Sequence, residues 1–167
     1  MTDDETVALV ERVRALEEQL RELREIEAIK QLKADYCRAF DLRDWERWGS
    51  LLTDDVYLES DAGVLEGRET VLATMSAVDA SVVHNTHSPV IELTGPDTAT
   101  GTWSNEDWVR LDLGGERLAF HGCGHYVEDY VRTEQGWKVK RSVERRLRVD
   151  PIEGSAALPA PPDRPSD

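Results

Sequence analysis

The chain changes its residue pattern near position 80, and this change limits the folds that it can adopt. From Asp4 to Phe40 it contains neither proline nor glycine, and good helix formers dominate. Beyond Val82 the pattern is that of long strands separated by glycine-containing turns. Helices followed by a run of strands predict an α+β fold, in which three helices cover one face of a curved antiparallel sheet. A sheet that curls in this way forms a cone-shaped barrel with an internal pocket.

Local patterns place the individual elements. One long helix, or two helices with a break near Arg24, occupies the N-terminal region, and short helices are predicted at Trp45–Leu52 and Glu69–Val78. A first hairpin joins Val56–Glu59 to Val64–Leu65. Four longer strands complete the sheet, with a turn at Leu113–Glu116 between the second and the third: Val82–Leu93, Thr98–Leu113, Arg117–Thr133 and Trp137–Val149.

The two ends of the chain differ from its central part. The first two dozen residues carry apolar side chains at the 3-4-3 spacing of a coiled-coil seam: Val13, Leu16, Leu20 and Leu23. We therefore expect residues 1–24 to form a helical extension that packs on a partner subunit, although ordinary packing within the chain is an alternative. Such a protein is a homo-oligomer, either a dimer or a trimer. Residues 25–150 form the predicted domain, and the proline-rich tail 151–167 is predicted to be disordered.

The acidic composition argues against several partners. The chain has 34 acidic and 20 basic residues, a formal charge of -14. Such a surface repels phosphate backbones, so we expect no nucleic acid partner. No segment approaches the roughly 20 apolar residues that a bilayer crossing needs, so we expect no membrane partner either. The acidic N-terminus lacks the residue order of a secretory signal, which favours a cytoplasmic protein.

Four scattered polar residues carry the functional hypothesis: Tyr36, Asp41, His87 and Arg146. The first two come at the end of the long helix, His87 opens a predicted strand, and Arg146 lies on the last strand. A phenol, a carboxylate, an imidazole and a guanidinium can together remove a proton and expel a hydroxyl group, without a metal or a cofactor. An aspartate bound to one imidazole nitrogen raises the basicity of the other, so we expect Asp41 to contact His87.

Longer segments resemble a known family. Residues 26–41 are similar to the first core helix of SnoaL-like proteins in the nuclear transport factor 2-like superfamily. Within that superfamily the chain most resembles the bile acid 7α-dehydratase family and, more distantly, the scytalone dehydratase family. The resemblance runs from about Glu25 to Val149. The other matching segments are Trp45 and Trp48 followed by residues 51–56, then residues 84–93, 130–133 and 136–139.

This resemblance implies a role for each of the four polar residues. Asp41 and His87 match the acid/base pair that removes a substrate hydrogen, and His84 is a rival for the place of His87. Tyr36 and Arg146 match residues that position the substrate or assist the departing oxygen. The implied activity is that of a cofactor-independent dehydratase, a carbon–oxygen lyase. Its substrate would be a hydrophobic small molecule, alicyclic or polycyclic, with a hydroxyl group and an activating carbonyl.

Aromatic and imidazole side chains are expected to line a hydrophobic substrate pocket: Trp103, Trp108, Tyr126, His125 and His84. Strand alternation allows only one of the neighbours His125 and Tyr126 to face this pocket. Arg146 faces it only if a bulge reverses the alternation, and bulges are expected near Gly122 and Gly124. The sequence predicts no metal ligands.

Two other functions stay open at this point. The same proton abstraction without loss of water would make the protein an isomerase or a cyclase. A non-catalytic protein would use the pocket to bind a small molecule, or the N-terminal helix for assembly. A contact between an aspartate and a histidine inside a pocket favours the enzyme.

Overall fold

The computed structural model describes residues 3–113 and 116–152, which form three helices and six strands. The helices are α1 (Asp3–Asp41), α2 (Trp45–Ser50) and α3 (Arg68–Ala77). The strands are β1 (Leu52–Ser60), β2 (Gly63–Glu66), β3 (Ala80–Gly95), β4 (Thr98–Leu113), β5 (Glu116–Thr133) and β6 (Gly136–Pro151). The predicted α+β class is confirmed. The centre of the turn predicted at residues 113–116, and the tail from residue 153 onwards, lie outside the described residues.

The six strands form one curved sheet in the order β2-β1-β6-β5-β4-β3. Strands β3 to β6 make an antiparallel meander, which returns the chain from the far edge to β1. There β6 pairs with β1 in the parallel direction. The sheet is therefore mixed rather than purely antiparallel as predicted, and it is not closed, because β2 and β3 remain as edges. Helix α1 packs on both β3 and β6.

Helix α1 is continuous, without a break at Arg24. Residues 4–24 are exposed along their whole length, and the helix joins the domain at Glu25. There the Trp137 indole N–H donates to Glu25 Oε2 at 2.7 Å, and Arg132 pairs with Oε1 at 2.7 Å. Beyond that point Ile29 enters the core. None of the helices in the described part of the chain combines the length and the apolar character that a bilayer crossing requires.

The end of α1 is tied to the beginning of β3. Arg43 adopts a left-handed conformation (φ 57°), which ends the helical path. Its guanidinium donates to the carbonyl oxygens of Ala80 at 2.9 Å and Val78 at 3.2 Å. Asp44 then caps α2 by accepting from the Arg47 backbone N–H at 3.0 Å. This connection brings the carboxylate of the last helical residue, Asp41, beside the strand.

Two irregularities in the pairing of β5 with β6 decide which side chains face inward. Lys140 has no partner on β5, because the pair Tyr130–Val139 is followed directly by the pair Asp129–Arg141. Leu147 likewise has no partner there, because Gly124 pairs with Arg146 and Cys123 with Arg148. The second shift lies where the sequence predicted a bulge. Each skipped residue reverses the alternation of side chains along β6. The inner face of β6 therefore carries polar residues after the first bulge: Ser142, Glu144 and Arg146.

Candidate active site

The carboxylate of Asp41 holds His84 at two points. Nδ1 of the His84 ring lies 2.6 Å from Asp41 Oδ1, and the His84 backbone N–H donates to Oδ2 at 3.0 Å. The pair joins the last residue of α1 to the inner side of β3. An imidazole whose Nδ1–H is bound to a carboxylate presents Nε2 as its basic nitrogen, and the carboxylate stabilises the ring once it is protonated. This arrangement is suited to acid/base chemistry.

The contact predicted between Asp41 and His87 is not formed. The His87 side chain is 53% exposed, with Nδ1 3.1 Å from Ser88 Oγ and Nε2 4.0 Å from a carboxylate oxygen of Glu106. Positions 84 and 87 are three positions apart in one strand, an odd offset, so their side chains project from opposite faces of the sheet. The prediction of this contact is therefore wrong, and His84 takes the place beside Asp41.

Two tyrosines lie near the pair. The Tyr126 ring centroid is 6.5 Å from that of His84. Tyr36 lies one turn before Phe40, whose ring packs edge-on against His84 at 5.3 Å. Burial raises the pKa of both phenols well above the ordinary value, with the charge of Glu128 adding to the effect at Tyr36 and that of Glu144 at Tyr126. Both hydroxyl groups therefore stay protonated at neutral pH and can donate a hydrogen bond or a proton.

A buried ion pair lies below these tyrosines. Lys33 Nζ is 2.7 Å from Glu128 Oε1, and both side chains are fully buried. Glu128 also accepts hydrogen bonds from Ser142 Oγ at 2.8 Å and from the hydroxyl of Tyr130. The Lys33 ammonium lies 4.0 Å from the ring centroid of Tyr126, a favourable cation–π geometry. A buried positive charge therefore lies against the face of the Tyr126 ring.

Arg146 points into the cone, but its guanidinium is already occupied. Nη1 and Nη2 donate to the two oxygens of Asp107 at 2.7 and 2.6 Å, and Nη2 also lies 3.0 Å from Glu144 Oε1. Burial acts to lower the pKa of Arg146, but the hydrogen bonds to Asp107 and the charge of Glu144 outweigh it and raise the pKa. Gly122 makes room for this pair, because a Cβ there would overlap Arg146 Nη1 and Asp107 Oδ1.

Glu144 is a carboxyl group whose titration is moved towards neutral pH. Its side chain is 10% exposed, and the Asn105 amide donates to Oε1 at 3.5 Å. Burial raises the pKa of Glu144 to about 7, because the opposing effect of Arg146 is partly cancelled by the nearby charge of Asp107. Asn105 Oδ1 is buried and has no hydrogen-bond partner among the described residues.

Two residues predicted to line the pocket lie on the outer face of the sheet instead. Trp108 is 50% exposed and stacks on His121, with 4.4 Å between ring centroids. His125 lies opposite Ser104 on the same outer face. Both are strand neighbours of inward-facing residues, so alternation directs them outward. Trp103 does face inward, where it is buried and donates its indole N–H to a tyrosine hydroxyl at 2.7 Å.

Four charged residues of the inner face are missing from the sequence prediction: Lys33, Asp107, Glu128 and Glu144. Lys33 had a visible signal, since it lies three positions before Tyr36 and shares its helical face. Among the strand residues, only Glu144 had no such signal. Glu144 lies beyond Lys140, which the β5–β6 pairing skips, and such a position cannot be located from alternation alone. Asp107 and Glu128 lie on strands paired in an unbroken register, where alternation relates them to the inward-facing Trp103 and Tyr126.

Two surface clefts lie apart from the Asp41–His84 pair. One has a volume of about 430 Å³ and is lined by residues at the ends of β3, β4 and β5, among them Ser81 and Arg110. The other, about 330 Å³, lies between Asp54 and the start of α3. The Asp41 and His84 side chains line neither cleft and are 21% and 10% exposed. Within residues 3–113 and 116–152, no group of three or more His, Cys, Asp or Glu residues is placed to hold a metal ion.

Comparison with known proteins agrees with this architecture. Similar crystal structures include a hexachlorocyclohexane dehydrochlorinase, LinA type 2 (TM-score 0.71, 20% identity, covering 84% of this chain and 97% of that one). A proposed scytalone dehydratase from Novosphingobium aromaticivorans DSM 12444 gives a TM-score of 0.66 at 20% identity, with 83% and 94% covered. An NTF2-like protein with a cystatin-like fold, also from Novosphingobium aromaticivorans, gives 0.59 at 22% identity, with 84% and 90% covered.

These likenesses establish the fold. The family itself follows from a sequence match. The sequence model of the SnoaL-like domain family matches residues 21–143. This range includes α1 from Arg21 onwards, the Asp41–His84 pair and most of the sheet. The chain therefore belongs to the SnoaL-like domain family.

Proposed function

We propose that this protein is a lyase that eliminates water from a small molecule, using side chains for acid/base catalysis. The substrate class is the one inferred from the sequence, a hydroxylated alicyclic or polycyclic molecule with an activating carbonyl. The observation that carries the proposal is the Asp41–His84 pair, with 2.6 Å between the ring nitrogen and the carboxylate. The names of two similar proteins, a dehydrochlorinase and a proposed scytalone dehydratase, describe eliminations and support this class of reaction.

In this mechanism His84 acts as the base. Its Nε2 removes the acidic hydrogen on the carbon next to the substrate carbonyl, while Asp41 stabilises the imidazolium that forms. The electrons of the C–H bond form the new double bond as the hydroxyl group leaves. Tyr126 or Tyr36 donates a proton to that hydroxyl, so that it departs as water. Both phenols hold their protons at neutral pH because burial raises their pKa values.

The inner surface favours a neutral substrate over an anionic one. Arg146 is engaged by Asp107 and Glu144, so it has no free hydrogen-bonding edge for a substrate carboxylate or phosphate. We therefore assign Arg146 a positioning role, rather than the direct contact with substrate expected from the sequence. In this proposal Asn105 Oδ1, buried and unpaired among the described residues, would accept a hydrogen bond from a substrate hydroxyl.

An isomerase or a cyclase is the second candidate, because the same His84 base would serve a reaction that retains the oxygen. The two possibilities differ in the mass of the product. Elimination removes one water from the substrate, and it creates a carbonyl-conjugated double bond that absorbs in the ultraviolet. Isomerisation and cyclisation leave the mass unchanged.

The test combines a substrate panel with three variants. Cyclic and steroid-like β-hydroxy ketones are incubated with the protein, and products are followed by absorbance and mass spectrometry. For an active compound, His84→Gln and Asp41→Asn should each lower kcat/KM by about 10²- to 10⁴-fold, the usual contribution of a positioned acid/base group. His87→Gln is the matched control and should retain activity, because His87 lies on the outer face.

Two results would contradict the proposal. One is turnover that survives in His84→Gln while near-ultraviolet circular dichroism shows that variant to be folded. The other is binding of panel compounds without any change in them, which would favour the non-catalytic alternative. A product of unchanged mass would transfer the assignment to isomerisation or cyclisation.

A further inference from the structure

The N-terminal half of α1 displays an unpartnered apolar stripe. Its members are between 45% and 64% exposed, and we call them the N-terminal seam: Leu9, Val13, Leu16, Leu20 and Leu23. The domain first bonds to α1 at Glu25, so the whole seam lies on the part of the helix that projects beyond the domain. The projecting part of α1 gains no stability from packing on the domain, and its exposed leucines leave an unfavourable apolar surface in water.

We propose that the N-terminal seam pairs with the seam of a second copy of this chain, as a parallel two-stranded coiled coil in register. The spacing assigns the seam to two heptad positions, with Val13 and Leu20 at position a and Leu9, Leu16 and Leu23 at position d. Val13, the β-branched residue of the two a positions, together with leucine at d favours two strands over three or four. Burial of the seam then removes these side chains from water.

The charges beside the seam select the orientation. In the same heptad frame Arg12 occupies position g and Glu17 the following position e. In a parallel pair, position g of one helix meets the next position e of the other, so Arg12 lies beside Glu17 of the partner subunit. The symmetry of the pair repeats this contact on its other side. Neither residue forms an ion pair within the described part of the chain.

An antiparallel pair of the same two helices brings like charges together. In that arrangement position e meets position e, and full overlap of the two seams places Glu17 beside Glu17 of the partner subunit. Two like charges placed side by side across the helix pair repel each other, which disfavours the antiparallel arrangement. The salt bridge between Arg21 and Glu18, at 2.6 Å, lies at positions b and f on the side of the helix away from the seam, so it does not compete for the seam charges.

A disulfide test detects the proposed register directly. In the full chain with Cys123→Ser, Leu9→Cys places a thiol at a d position near the N-terminal end of the seam, while Cys37 is buried. Mild oxidation should link the Leu9→Cys chains into dimers that non-reducing electrophoresis resolves. Ala8→Cys, one residue earlier at position c, is the matched control and should stay monomeric under the same conditions. Equal linkage of the two variants, or none in Leu9→Cys, would overturn the proposal.

A charge exchange tests the orientation with surface substitutions alone. In the Leu9→Cys background, Arg12→Glu should reduce the yield of linked dimer, because it places two glutamates side by side. Adding Glu17→Arg should restore the yield, since the attractive pair is rebuilt with the signs reversed. Failure of the second change to restore the yield would refute the parallel arrangement. Oligomers formed through other surfaces leave this local readout unaffected.

Discussion

Lys33 and Glu128 place two full charges in the part of the molecule where water is excluded. Each charge is compensated by the other at 2.7 Å, and Glu128 receives further hydrogen bonds from Ser142 and Tyr130. Removing charges from water costs several kcal/mol per ion, so such a pair is stable only as a complete set. Loss of one member leaves the other buried and uncompensated.

This reasoning predicts strong non-additivity at the two positions. Lys33→Met should lower the free energy of unfolding by about 3–5 kcal/mol, because the Glu128 carboxylate stays buried without its cation. Lys33→Met combined with Glu128→Gln should recover most of that loss, since the amide is neutral and retains hydrogen-bonding capacity. Urea denaturation of the single and double variants measures both values.

The control for this cycle is an exposed ion pair. Lys140→Met removes the partner of Asp55, 3.3 Å away at the surface, and should leave the denaturation midpoint unchanged within error. A double variant at Lys33 and Glu128 that is less stable than Lys33→Met alone would show that the charged pair itself stabilises the fold.

At the scale of elements, the inner face of the sheet is built by the bulged pairing of β5 with β6. Gly124 lies at the second shift, opposite Arg146, where the two backbones approach closely. A Cβ at Gly124 would overlap the carbonyl oxygen of Arg145 and lie 2.9 Å from the Cα of Arg146. Backbone atoms cannot rotate away as a side chain does. A residue without a Cβ is therefore required where β5 passes Arg146 at the second shift.

We expect Gly124→Ala to destabilise the protein by about 3 kcal/mol, at the upper end of the usual cost of overpacking. The neighbouring change Cys123→Ala is the matched control on the same strand, and it should cost less than about 1 kcal/mol. Thermal unfolding followed by circular dichroism compares the two. If Gly124→Ala were as stable as Cys123→Ala, the close approach of β5 and β6 would not depend on glycine.

At the scale of the whole molecule, charge is distributed differently inside and outside. The chain as a whole carries a formal charge of -14. In the interior, by contrast, Lys33 balances Glu128 and Arg146 balances Asp107. Glu144 is a third buried carboxyl group, and it shares Arg146 with Asp107. Burial raises the pKa of Glu144 to about 7, because the opposing effect of the shared Arg146 is too small to offset it.

The Glu144 carboxyl should make the stability of the folded protein depend on pH. Its pKa is about 7 in the folded state against an ordinary 4.5, so the folded state holds a proton that the unfolded state releases between these values. The stability that this group contributes is therefore fully present below pH 4.5 and is lost as the pH rises to about 7. The shift corresponds to about 3 kcal/mol.

Glu144→Gln should remove this dependence while retaining a polar group of the same shape. The difference in free energy of unfolding between Glu144→Gln and the unmodified protein, measured by urea denaturation, should grow in favour of the variant between pH 4.5 and 8. Glu106→Gln, at a carboxylate that is half exposed on the outer face, serves as the control and should show no such trend. A difference that stays constant with pH would mean that Glu144 titrates alike in both states.

The amino-acid sequence by itself determined the elements and their class, because helices and strands follow from periodicity and turn residues that act over a few positions. It located the helix that ends at Asp41, the long strands and the bulge near Gly124, and its resemblance to SnoaL-like proteins is confirmed by the match over residues 21–143. The sequence did not predict the mixed sheet, because the parallel pairing of β1 with β6 joins residues far apart in the chain.

Only the tertiary structure decided which side chains meet. Asp41 reaches His84 rather than His87 because Arg43 ties the end of α1 to the start of β3, and because one face of that strand is turned towards the helix. Glu144 and Arg146 point inward because β6 skips Lys140 before them. A single skipped residue reverses every side chain beyond it, so a site on paired strands depends on the register of the whole sheet.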